Sequence, residues 1–165
     1  MAANVDYFLK IDGIPGESMD TKHKDEIELM SHSWGASNTG SFASISGGGT
    51  GKVNMHDFSF TQSTQKSSPL LVKACATGQH IKKAVLTCRK AGGGTNPGQE
   101  YLKITFGDVL VSSYNLAGSS GDVVPSDAIT LNFSTIEYSY CPQKQDGTLD
   151  GAIVAKGDLK QNQFS

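Results

Sequence analysis

Bulky and polar positions divide the chain into strands of period two and one short stretch at helical spacing. Val5, Tyr7, Leu9 and Ile11 alternate with Asp6, Phe8 and Lys10, and Asp12-Gly13-Ile14-Pro15-Gly16 ends that strand with turn residues. A polar loop over residues 17–24 leads to a second strand over 26–34, with Ile27 and Leu29 on one face. Residues 53–60 alternate again, and residues 81–89 return to strand composition. Between them, Ser67-Ser68-Pro69 predicts a helix start, with hydroxyls placed to accept the first free N–H groups and proline at the first helical position. Leu70, Leu71, Ala74 and Cys75 make a narrow apolar stripe, and Gly78 supplies the stop. So short a helix is not stable alone and must lie against a sheet.

The later strands change parity. Leu102, Ile104 and Phe106 share one face, but Val109 and Val111 continue the apolar pattern on the other, with the slip at Gly107-Asp108. Ile129, Leu131 and Phe133 are likewise followed by Ile136, Tyr138 and Tyr140 on the opposite parity. Parity fixes the buried face, so each slip marks a bulge or bend, which closing a sheet requires. The pattern predicts a mainly β fold: a closed or nearly closed β-barrel of two packed sheets with one short flanking α-helix. One domain over residues 1–165 accommodates it, with an extended glycine-rich loop over 35–51 and a loose tail from 157. Loops of that length inside a compact domain are functional or disordered. No internal repeat is visible.

Composition narrows the partners. The 165 residues carry a formal net charge of −2, which gives no basic face for nucleic acid or an acidic membrane. No apolar run reaches the ~20 residues needed to span a bilayer, and the N-terminus lacks signal-peptide character. Cysteines 75, 88 and 141 are too far apart for a zinc knuckle or a redox pair and read as small apolar thiols.

Candidate chemistry is thin. Ser46-Gly47-Gly48-Gly49-Thr50-Gly51-Lys52 invites a phosphate-loop reading, but Val53 stands where a hydroxyl should hold magnesium, and a strand follows instead of a helix. His56 and Asp57 are adjacent in a strand and point to opposite faces, so they do not pair as base and orienting acid. His23, His32 and His80 have no partner at metal-ligand spacing. No catalytic, cofactor or metal site is expected. What remains is surface, suited to self-assembly. A ligand- or glycan-binding barrel and a secreted hydrolase using His56 or Glu137 are the alternatives.

Ordered blocks of residues then carry a resemblance. Residues 8–18, His23-Lys24, Glu26-Ile27 and Ser33-Trp34-Gly35 resemble the N-terminal signature of the hemolysin-coregulated protein family, the tube proteins of type VI secretion systems. Residues 57–61, 66–69, 78–81, 86–92, 108–113, Leu131-Asn132-Phe133 and Pro142-Gln143 continue the match in order. The resemblance implies a non-enzymatic barrel that forms six-membered rings. The rings stack into a hollow tube, which sheath contraction expels with effector proteins held in its lumen. The implied partners are further copies of the chain, sheath, spike and baseplate proteins, and effectors. The implied route is synthesis in the cytoplasm and export through the apparatus without a signal peptide. Within that frame the loop containing Gly40, Ser46, Gly47, Gly48, Gly49 and Gly51 reaches a neighbouring subunit or ring. Ser31 and Ser33 share the face expected to meet cargo.

Overall fold

A computed structural model describes residues 5–40, 52–90 and 98–165. The strands are β1 (Val5–Ile11), β2 (Ile27–Glu28), β3 (Ser31–Ser33), β4 (Ala36–Asn38), β5 (Val53–Met55) and β6 (Phe58–Ser63). After helix α1 (Ser67–Thr77) come β7 (Ile81–Lys90), β8 (Gln99–Ala117), β9 (Ser126–Asn132), β10 (Thr135–Tyr140), β11 (Ile153–Asp158) and β12 (Gln163–Phe164).

Sheet I runs β12-β11-β10-β8-β7-β1-β2, and sheet II runs β3-β6-β9-β8, all pairs antiparallel. Strand β8 belongs to both. Residues up to Gly107 pair with β10, and residues from Leu110 onward pair with β9. The corner is at Asp108, whose φ of 51° is unusual for a residue with a side chain. The sheets meet a second time through residues 27–33, where the Leu29 N–H bonds Tyr7 in β1 and the Met30 N–H bonds Thr61 in β6. Pairing therefore returns to its start through β1, β2–β3, β6, β9, β8 and β7, which is the nearly closed barrel the parity slips predict.

The slips have a simple cause. A strand that leaves one sheet for the other must turn its opposite face toward the same core. Phe106 and Val109 are both fully buried on either side of the corner. The segment expected as one strand over 129–140 is two strands in different sheets, divided at Phe133-Ser134. The expected strands over 26–34 and 53–60 are divided in the same way. Phe58 anchors the core, with ring centroids 4.9 Å from Phe106 and 5.9 Å from Phe60. Deleting such a ring costs about 3–5 kcal/mol.

Two further expectations change. The helix starts at Ser67 after Lys66, so Pro69 is not its first residue. Its buried face is Ser67, Ser68, Leu71 and Ala74, whereas Leu70 is exposed. Gly78 caps it at φ 64°, as predicted. The tail is paired, not loose: Gly157 lies opposite Phe164, and Lys156 and Ser165 exchange backbone hydrogen bonds of 2.7 and 2.9 Å. A β-carbon on Gly157 would overlap the Phe164 ring, so the bare glycine is the seat for that ring.

Candidate functional site

Sheet II places two chemically different faces back to back. Phe58, Phe60, Ile129 and Leu131 point into the core. Alternation therefore turns Ser59, Thr61, Ala128 and Thr130 outward, and register sets Ser31 opposite Thr61 and Ser33 opposite Ser59. Ser113 joins them opposite Thr130. These outward side chains are short and uncharged. Hydroxyls link across the strands: Ser31 Oγ lies 2.6 Å from Thr61 Oγ1, and Ser113 Oγ 2.5 Å from Thr130 Oγ1. At the rim, the Asp57 carboxylate accepts hydrogen bonds from Ser112 Oγ (2.6 Å) and Asn132 Nδ2 (3.0 Å). Asp57 is thus engaged with its own sheet and not with His56.

The margins of this face are unfinished. Among the described residues, β3 pairs only with β6, and residues 110–117 of β8 pair only with β9. Each leaves a row of backbone donors and acceptors available for another strand. The ribbon of β4 and β5 projects beside it, joined Ala36 to Met55 and Asn38 to Val53. Gly40, just beyond that ribbon, is exposed and donates its N–H to Asn38 Oδ1 at 2.7 Å. Ser46, Gly47, Gly48, Gly49 and Gly51 lie outside the described residues.

Two polar clusters hold the frame, and neither is among the site residues expected from the sequence. Arg89 donates to Asp20 at 2.6 and 3.0 Å and to Asp6 at 3.0 Å, with its guanidinium 4.9 Å over the Phe8 ring. The guanidinium draws the Asp20 carboxyl down to about 2, and the two carboxylates push the arginine upward. His23 stacks on Phe8 at 4.3 Å and lies 2.6 Å from Glu26 and 2.7 Å from Glu100. Together they pin residues 17–26 onto sheet I.

The second cluster docks α1. Asp127, fully buried, accepts from Gln62 Nε2 (2.9 Å), Thr64 Oγ1 (2.8 Å) and Ser68 Oγ (2.5 Å). Burial pushes its carboxyl up, but bonds from Ser68, Gln62, Thr64 and Tyr114 outweigh that and hold it below its ordinary range. The available signal was positional: Gln62 and Asp127 occupy inward-facing positions in apolar alternation, where a polar side chain must find partners.

The other candidate residues are structural. His32 sits edge-on to Tyr7 at 4.7 Å, and burial lowers its basicity. Cys88 lies behind it, and burial pushes its thiol up to about 11. Cys75, Cys88 and Cys141 are all free thiols. No helix among the described residues is long and apolar enough to cross a membrane.

A sequence profile described as "Type VI secretion system effector, Hcp" matches residues 8–140. The chain belongs to the Hcp family. It is 46% identical over 159 residues to Protein hcp1 of Pseudomonas aeruginosa, covering 96% of this chain and 97% of that one. It resembles the crystal structure of Hcp1 from Salmonella typhimurium with a TM-score of 0.76 at 39% identity, covering 98% and 99% of the two chains. A structure described as a type six secretion system protein superposes with a TM-score of 0.89 at 30% identity, covering 98% of this chain and 100% of that one. Hcp is a structural tube family, not an enzyme family, and its members self-associate into rings and tubes and are secreted by the type VI system.

Proposed function

We propose that the chain forms one tube-subunit domain whose sheet II lines the lumen of a six-membered Hcp ring. The observation that carries this reading is the neutral, hydroxyl-covered face of sheet II between two unpaired edges. Edge β3 of one copy and residues 110–117 of the next satisfy each other's backbone groups, and repetition around a ring removes every edge of that sheet. The outward side chains then face the lumen. Ser31 and Ser33 are the cargo-facing residues on this reading. A wall of short neutral groups offers many weak hydrogen bonds and no strong charge, so an effector is held in passing and released.

The loop containing Gly40 and residues 46–51 reaches a neighbouring copy. Glycines there allow extension and close backbone approach. Stacked rings form a tube that sheath, spike and baseplate proteins enclose and cap. The chain is made in the cytoplasm and leaves through the apparatus. A Ser33→Cys variant of the purified protein tests this, with the parent as control for the native thiols. Rings should form by electron microscopy, and a maleimide carried on a polymer too large to pass the central opening, which labels the introduced thiol in dilute monomer, should be excluded from assembled, stacked rings. Rapid labelling of that thiol in stacked rings would sink the lumen assignment, and a strictly monomeric protein at high concentration would sink the ring.

A further inference from the structure

Three Asp-Gly steps occur in the chain: Asp12-Gly13, Asp146-Gly147 and Asp150-Gly151. At such a step the glycine nitrogen and the aspartate Cγ can close a five-membered imide ring, because no β-carbon on the following residue crowds the approach. The rate depends on where the fold holds the two atoms, since a misplacement of about 1 Å costs on the order of a hundredfold.

Two of the steps are held out of that arrangement. Asp146 Oδ1 accepts from Thr148 N–H at 2.9 Å and Thr148 Oγ1 at 2.6 Å, while the Gly147 N–H turns to the Lys144 carbonyl at 3.0 Å. The threonine bonds also hold the Asp146 carboxyl below its ordinary range, ionised and without a hydroxyl to lose. Asp12-Gly13 is the middle of a turn closed by the Ile14 N–H on the Ile11 carbonyl at 3.0 Å, with the Asp12 N–H fixed to the Lys83 carbonyl at 3.0 Å. Gly13 and Gly147 have φ of 80° and 87°, so turn geometry accounts for both glycines.

Asp150-Gly151 differs at each point. The Gly151 N–H donates to Oδ1 of Asp150 itself at 2.7 Å. Cγ is one bond from that oxygen, so the nitrogen is already folded back against the carboxyl group it would attack. The side chain is 61% exposed and open to water, and Lys144 Nζ, 3.9 Å from the same oxygen, is too exposed to hold it in place. Gly151 lies outside the left-handed region, and a β-carbon there would meet nothing within 4 Å. Neither turn geometry nor packing requires a glycine at that position.

We propose that Asp150-Gly151 is a self-modification site at which the chain rearranges to isoaspartate. The Gly151 nitrogen bonds to Asp150 Cγ and gives up its proton, and the carboxyl hydroxyl departs with a proton as water. Water then opens the imide at either carbonyl, and opening at the former main-chain carbonyl leaves isoaspartate. The water lost in the first step is regained in the second, so nothing is oxidised or reduced and the final mass is unchanged. The product carries one extra methylene in the backbone between residues 150 and 151. That lengthens the β10–β11 connection beside the Asp150 N–H bond to Pro142 (2.7 Å) and just ahead of the Tyr140–Ile153 pair.

Trypsin releases residues 145–156 as one peptide, which holds both Asp146 and Asp150 and compares the two steps directly. Full-length protein is aged in warm, mildly acidic buffer, and electron-transfer fragmentation reads isoaspartate at each position. A synthetic 145–156 peptide, which has no fold, is aged alongside. The protein should form isoaspartate at 150 at least about tenfold faster than at 146, whereas the free peptide should form it at both at similar rates. Gly151→Ala should slow the change at 150 by about tenfold and leave the barrel's circular dichroism as in the parent. Equal ratios in protein and peptide would overturn the part assigned to the fold. No isoaspartate at 150 in the parent, a faster change at 12 or 146, or a Gly151→Ala rate equal to the parent's would overturn the site.

Discussion

Asp127 offers the most exacting check on the frame. The carboxylate is fully buried and takes hydrogen bonds from Gln62, Thr64 and Ser68 at 2.5–2.9 Å. In Asp127→Ala the Ser, Thr and Tyr hydroxyls can turn to one another; of the two Gln62 amide N–H groups, one keeps Ser68 Oγ at 3.1 Å, but the one that pointed at Asp127 can only donate and loses its acceptor. One stranded buried donor, plus the loss of charge-assisted bonds, costs about 3–5 kcal/mol. That is a large share of the roughly 5–15 kcal/mol that holds a typical domain together. With a urea slope of about 2 kcal/mol per molar, the unfolding midpoint should fall by about 2 M. Asp127→Asn keeps one oxygen for Gln62 and Ser68 and presents its amide to a Thr64 hydroxyl that can turn to accept, so it should lose only about 1 kcal/mol. The folded carboxyl lies below its ordinary value of 3.8. Its stabilisation is therefore complete above that value and is lost as pH falls from there toward the lowered one. The parent should lose stability more steeply than Asp127→Asn in that window. Denaturation of Asp127→Ala within about 0.5 kcal/mol of the parent would refute the hydrogen-bond reasoning.

Gly157→Val should unseat Phe164, seen as faster hydrogen exchange at the Lys156 and Ser165 amides with the barrel's circular dichroism unchanged. Arg89→Met should return the Asp20 carboxyl from about 2 toward its ordinary 3.8, read by carbon-detected NMR titration, and speed exchange at the Lys22 and His23 amides. An Asp20 titration still near 2 in that variant would show that Arg89 is not the cause.

Much of the fold was legible because burial leaves a period. The parity slips at Gly107-Asp108 and near Ser134 mark the bends in the alternation itself. The same logic could not say that a bend was a break between sheets, since a strand that turns a corner and two strands that meet at one leave the same alternation. Leu70 was misplaced for a related reason: a helix of 11 residues with a narrow buried face gives too few apolar positions to fix which side faces in, and the buried serines before it look polar. The tail looked loose because its pairing depends on Gly157 being bare opposite Phe164, a relation between distant positions with no periodic signature. Ser31 and Ser33 were placed on one face by alternation alone, but the neutral chemistry of the whole face needed the register of four strands. Arg89 with Asp20, and Asp127 with Ser68, are contacts 69 and 59 residues apart in sequence, and no local pattern links them.

Strand β8 runs from Gln99 to Ala117 and serves both sheets. One consequence is mechanical. A push on the face of sheet II is delivered along a continuous backbone into sheet I, with no loop between them to absorb it. Neither sheet can melt while the other stays intact, because each would take half of the same strand with it. Under load the subunit should behave as a single stiff element that yields in one step, giving one calorimetric transition and one rupture event in a pulling trace.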